Sequence, residues 1–176
     1  MSENHFLIGA VLVASLGGVS DLRSARIPNW LTYSGILAAL LVRFTVLGWS
    51  GLKSGAAGMC VAGVLFFVLF VVGAMGGGDV KLIASVGAWA GSANVVPVLL
   101  AAALAGGLLA ILYMVFGQGI RQTFWNILDL IHFRLTSGLE PHPVLNVREA
   151  GSMHVPFGVA IAMGTLFCAG NAIWWR

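Results

Sequence analysis

Apolar positions dominate this chain in six stretches, 6–20, 30–49, 52–73, 80–90, 95–116 and 155–175, separated by short polar breaks. Inside them there is no alternation of period two. Residues 61–72, for example, are apolar at every position, which argues against transmembrane β-strands and for helices buried in lipid or protein. About 20 apolar residues cross a bilayer as a helix. The pattern therefore predicts an all-α polytopic membrane protein, one domain over 1–176, with about six transmembrane helices. The first and fourth stretches are short, and each reaches a spanning length only by taking in the acid beside it, Asp21 or Asp79. Both carboxylates are thereby expected near the membrane boundary. A helix of another kind is predicted over 120–135. There Ile120, Phe124, Ile127, Leu128, Ile131 and Leu135 recur at helical spacing, and Arg121, Gln122, Asn126, Asp129 and Arg134 fill the other face. That is the signature of an amphipathic helix on the membrane surface. Residues 138–152, with Pro141 and Pro143 and mixed charge, read as an exposed loop.

Composition sharpens this. Hydrophobic residues make up 59% and charged residues 9%, where a soluble domain carries about 25% charged. Mean hydropathy is +0.97. A soluble enzyme and a disordered chain are both excluded, and the lipid bilayer is the first expected partner. The net charge of +3 is small and dispersed, so no nucleic-acid partner is expected. Cys60 and Cys168 lie inside apolar runs and read as buried small hydrophobes. No CxxC pair occurs, so no zinc-ribbon insertion is expected, and His5, His132, His142 and His154 are too scattered to suggest a metal site. The first residues lack Lys and Arg, so the first apolar run is expected to stay as a helix and not to be removed as a signal peptide.

Cation placement predicts orientation. With the N-terminus outside, inner loops hold Arg23, Arg26, Lys81, Arg121, Arg134 and Arg148, while Arg43, Lys53 and Arg176 fall outside. Both termini are then outside, Trp174-Trp175-Arg176 anchors the outer end of the last helix, and Asp21 and Asp79 emerge together on the cytosolic face.

Of the six acids, Glu3 is in the N-terminal tail and Asp129, Glu140 and Glu149 lie in the long inner connection, leaving Asp21 and Asp79 beside spanning helices. An ionisable group at such a place costs a few kcal/mol on insertion scales and is a functional candidate by default. The plainer alternative pairs Asp21 with Arg23 or Arg26, and Asp79 with Lys81. The run Gly76-Gly77-Gly78 ahead of Asp79 permits close backbone approach, or serves simply as a flexible link. Pro28 and Asn29 suit the opening of the second helix.

Asp21 followed by Ile27-Pro28-Asn29, then Gly76-Gly77-Gly78-Asp79-Val80-Lys81-Leu82, and finally Val155-Pro156-Phe157-Gly158, together resemble the type IV prepilin leader peptidases, a membrane aspartic peptidase family with a GxGD motif. The resemblance implies that Asp21 and Asp79 are catalytic, with Gly76, Gly78, Lys81, Pro156 and Gly158 supporting. It implies cleavage of a short basic leader from a prepilin or pseudopilin precursor, after a glycine, at the cytosolic face of the plasma (inner) membrane, with no cofactor and no metal. The small size is closest to the compact forms of Flp-type and tight-adherence pilus systems. Larger relatives carry paired CxxC motifs in an insertion after the first aspartate and also methylate the product. The interval from Asp21 to Trp30 is too short for one, so methyl transfer is not expected. A helix over 120–135 would border the gap where a pilin helix docks, or brace the membrane surface. Two rival functions remain at this point. A small ion-coupled transporter predicts acids nearer the bilayer midplane and symmetric helix breaks, and a noncatalytic pilus or secretion assembly subunit tolerates loss of either aspartate.

Overall fold

The computed structural model describes residues 3–73, 75–116, 129, 132–133, 136 and 156–174. Among them all regular structure is helical. A 3₁₀ turn, Glu3–Phe6, leads into α1 (Leu7–Ser24), followed by α2 (Asn29–Val71), α3 (Gly77–Phe116) and α4 (Phe157–Trp174). Three of these helical stretches are long and apolar enough to cross a membrane, Glu3–Ser24, Asn29–Val71 and Gly77–Tyr113, and Phe157–Ala172 is a shorter apolar helix. The amphipathic segment 120–135 lies almost wholly outside the described residues, as do the loop 138–152 and Trp175-Arg176.

α2 and α3 are each interrupted by one glycine, Gly48 at φ 62° and Gly91 at φ 70°. Left-handed backbone is cheap only for glycine, and at both places the chain turns back on itself. After Gly48 the helix returns so closely that a Cβ on Gly55 would lie 2.9 Å from Arg43 Cδ and 3.3 Å from Leu40 Cδ2. Two whole helices and two broken ones thus make α1 to α4 six helical segments among the described residues. The second and third stretches expected from sequence, 30–49 and 52–73, are two helical segments that meet at the break at Gly48.

The segments run alternately up and down between two ends. Gly17 of α1 lies beneath Leu82 of α3, and Gly9 beneath Trp89, so α1 and the first half of α3 are antiparallel. α1 and α4 are antiparallel too, with Gly18 against Gly158 at one end and Asn4 Nδ2 donating to the Ala172 carbonyl at the other, 3.2 Å away. One end therefore carries Asp21, Asn29, Asp79 and Gly158, and the other carries Glu3, Arg43, Trp89 and Asn94. Small residues let the segments close in. Ala10, Ala14, Ala62, Ala90, Ala102 and Ala160 are buried, and at the crossing of α2 and α3 the backbones of Gly58 and Gly87 touch directly, the packing used where no hydrophobic driving force acts between helices. The outside is apolar, with Leu104 76% and Trp30 71% exposed, a surface suited to lipid and not to water.

One expectation is corrected. Cys60 is exposed and Cys168 half-buried, both as free thiols; in a bundle one layer deep, most segments turn a face to lipid, so an apolar neighbourhood in sequence does not mean burial. Arg43, counted from sequence on the outer side, lies at the end away from the two acids and is fully buried there, with Glu3 as its partner at 2.9 Å. The break at Gly91 leaves the last carbonyls of the preceding segment without intrahelical donors. Arg43 caps one of them, donating to Trp89 O through Nη2 at 2.8 Å and Nε at 3.3 Å. Its Nη1 also reaches Ser54 Oγ at 3.4 Å, and the Phe6 ring lies 4.5 Å from the guanidinium carbon. Any Cβ at residue 91 would collide with this group.

Removing a buried cation while its acceptors stay behind leaves them unsatisfied, at about 1–3 kcal/mol for each group. Arg43→Met is expected to lower the thermal unfolding midpoint in detergent clearly, and Glu3→Gln, which keeps an acceptor at a partly exposed position, to lower it less. Equal midpoints for wild type and Arg43→Met would show that this network does not hold the bundle end together.

Candidate active site

Asp21 belongs to the last turn of α1. The helix stops at Ala25, which takes the left-handed region at φ 49° and donates its N–H to the Asp21 carbonyl at 2.8 Å. A non-glycine residue there is strained, and the surrounding hydrogen bonds hold it. Ser20 Oγ donates to the Arg26 carbonyl at 2.9 Å, and Ser24 Oγ to the Ser20 carbonyl at 2.8 Å. The chain then passes Ile27 and enters α2 through Pro28, whose extended conformation (φ −64°, ψ 135°) sets the first helical residue at Asn29, as expected from these two residue types.

Asp79 stands in the first turn of α3. Both carboxylates are buried although they lie at the end of the bundle, Asp21 at 3% and Asp79 at 6% exposure. They also occupy the same level. Gly17 and Leu82 are in contact across the antiparallel pair, a Cβ on Gly17 falling 2.6 Å from the Leu82 methyls. Four residues on from Gly17 is Asp21, and three back from Leu82 is Asp79, about one helical turn in each case. The two acids expected from sequence to share a face are thus brought to one end of one helix pair.

A third segment joins them. Pro156 is buried just ahead of α4, and in the first turn the Gly158 N–H donates to Asp21 Oδ2 at 2.8 Å. N–H groups in a first helical turn have no intrahelical acceptor, and a carboxylate satisfies one of them well. A Cβ on Gly158 would stand 3.0 Å from both Cβ and Oδ2 of Asp21, so a larger residue displaces the carboxylate. Gly76 plays a similar part for the other acid, its Cβ position being 3.2 Å from Asp79 Oδ2. Gly78 faces Ile27 with 3.3 Å between the Cβ positions, which seats the chain after Asp21 against the chain around Asp79. The glycine run is therefore a close-approach surface, and its second and third residues already belong to α3.

Lys81 donates from Nζ to Asn29 Oδ1 at 2.9 Å and lies 5.5 Å from the centre of the Tyr33 ring. Asn29 and Tyr33 are the site-end residues that sequence reasoning missed as partners. Asn29 reads there only as a helix opener, and its spacing from Lys81, more than fifty residues along the chain, carries no signal. Among the described residues no three of His, Cys, Asp and Glu gather in one place. The arrangement offers two buried carboxylates at one level, bordered by glycine backbone, and carboxylates are among the groups that can serve as general acids and bases.

The sequence pattern of the type IV leader peptidase family matches residues 6–111, more than half of the chain. In comparisons with curated proteins and with solved structures, nothing matched significantly. The matched region holds Asp21, Asn29, Asp79 and Lys81, whereas Pro156 and Gly158 lie beyond it and reach the same place through the fold. On that match the chain, with its apolar helices and its two aspartates at one end, belongs to the type IV leader peptidase family.

Proposed function

We propose that this protein is a membrane-embedded aspartic endopeptidase that removes the short basic leader of type IV or Flp-type prepilins, cutting after a glycine at the cytosolic face of the plasma membrane. The observation that carries the reading is the pair Asp21 and Asp79, both buried, at one level of one antiparallel helix pair in a leader peptidase chain.

In the mechanism, one carboxylate is ionised and takes a proton from a water molecule as that water attacks the scissile carbonyl. The other is protonated, hydrogen-bonds the carbonyl oxygen, and later supplies the proton that the leaving amine needs. Gly158 N–H holds one Asp21 oxygen in place, so less reorganisation is left for the reaction itself.

All six helical segments of α1 to α4 are taken to cross the bilayer, with both termini outside. The segment 77–90 rises only about 21 Å at 1.5 Å per residue, short of the ~30 Å hydrocarbon core, so its Asp79 end meets the boundary, where water is available. Trp30 and Tyr33, both exposed on the first turns of α2, suit the headgroup level, and Lys81 reaches the same level from α3. The turn Ala25–Pro28 leaves no room for an inserted domain after Asp21, which supports proteolysis without methyl transfer.

Coexpression with a prepilin tests the reading. Asp21→Asn and Asp79→Asn are each expected to slow cleavage by about a thousandfold or more, seen as precursor persisting on a gel while the enzyme still inserts. Cleavage that survives either change removes the pair from the chemistry, as does thiol labelling that puts positions 23 and 77 on opposite sides of the membrane. Gly158→Ala, which pushes on Asp21 without touching Asp79, is expected to cut kcat by about ten- to a hundredfold with little change in KM; an unchanged kcat would mean that the carboxylate has room to move.

A further inference from the structure

The chain after Asp21 and the helix that begins beside Asp79 meet twice. Ile27 sits against Gly78 with 3.3 Å between the Cβ positions. Two residues on from Ile27 and three on from Gly78, Asn29 Oδ1 accepts a hydrogen bond from the Lys81 ammonium at 2.9 Å. The first contact is apolar and has no directional preference. The second is a charge-assisted hydrogen bond between two side chains, one on the first residue of α2 and one on the first turns of α3, and it fixes direction as well as distance. Lys81 is half-buried, its ammonium 5.5 Å from the centre of the Tyr33 ring, while Asn29 is exposed. A lysine held in this manner has its ammonium at the rim of the site and its stem packed on the bundle.

We infer that Asn29 is a positioning residue for the reaction: through Lys81 it ties the Asp21-bearing segment to the Asp79-bearing helix and so sets the spacing of the two carboxylates. The inference rests on the aspartic peptidase reading. Position matters here because each acid is held by its own helix. Asp21 is fixed in α1 and by Gly158 of α4, and Asp79 is fixed in α3, so the spacing between them depends on how α1, with the turn that follows it, sits on the start of α3. Gly17 against Leu82 sets that seat from the core side, and Asn29 with Lys81 sets it from the rim.

The test uses the full chain in detergent, with two sets of readouts. For activity, Asn29→Ala and Lys81→Met are each expected to lower kcat by about tenfold or more with KM changed much less. The double variant is expected to be no worse than the more impaired single variant, because both remove one interaction. Asn29→Asp, which keeps the acceptor, is expected to retain most of kcat. For geometry, Ile27→Cys with Gly78→Cys, in a background where Cys60 and Cys168 are replaced by Ala, is expected to form a disulfide rapidly, and adding Lys81→Met is expected to slow that reaction several-fold. Additive losses of kcat overturn the proposal, as does a kcat change without a change in cross-linking, or the reverse. The cross-linking result does not depend on which residues are catalytic. If Asp21→Asn and Asp79→Asn still cleave while cross-linking responds to Lys81→Met, the dyad fails and with it the positioning role, and the Asn29–Lys81 contact stands as a structural tie alone.

Discussion

A charge placed in an apolar bundle costs several kcal/mol unless partners are arranged for it in advance, and this chain meets that condition at its two ends in different ways. At one end Arg43 is saturated. Glu3, the Trp89 carbonyl, Ser54 and the Phe6 ring surround a guanidinium with no exposed surface, and the result is a fixed tie between the first turn, α2 and α3. At the other end two acids are buried where the helices begin and stop. They rest on backbone and glycine, Asp21 on the Gly158 N–H and Asp79 beside Gly76.

Glycine is what lets both arrangements exist. Gly91 takes a left-handed turn and thereby frees the carbonyl that Arg43 caps, while its missing Cβ leaves space for the guanidinium. Gly158 brings a helix terminus against Asp21, and Gly78 lets Ile27 approach the helix of Asp79. Between the ends, Gly58 and Gly87 bring α2 and α3 to backbone contact. Each of these is a point where one chain must pass within reach of another, and a side chain there would separate elements that the polar contacts need close.

What the sequence discloses of this follows from the kind of signal each feature leaves. Helical segments and their approximate limits are legible because long apolar runs with glycine or proline at the joints are local patterns, and Asp21 and Asp79 are legible because acids beside such runs are rare. The pairing of Glu3 with Arg43 leaves no local trace: forty residues separate them, and charge counting alone puts Arg43 on the outer side and Glu3 in a tail. Cys60 and Cys168 mislead for a related reason, since lipid-facing and core-facing positions have the same composition in a membrane bundle. Asn29 is half legible. Its place after Pro28 announces a helix start, and its role as acceptor for Lys81 becomes visible only once α2 and α3 are set side by side.

The placement of the acids on helix ends, and not in loops, bears on how the site keeps its shape. Asp21 lies inside the hydrogen-bonded last turn of α1, closed by Ala25, and Asp79 lies inside the first turn of α3. Neither carboxylate can be shifted far by its own backbone, so their separation is a property of helix packing and is decided one turn away, where Gly17 meets Leu82. Sites carried by rigid elements hold their geometry to a fraction of an ångström when the supporting contacts are complete. In this chain those contacts come from three sides, the core at Leu82, the rim at Asn29 and Lys81, and α4 through Gly158. With both acids inside hydrogen-bonded helical turns, a change in their spacing requires a change in how α1, α3 and α4 pack.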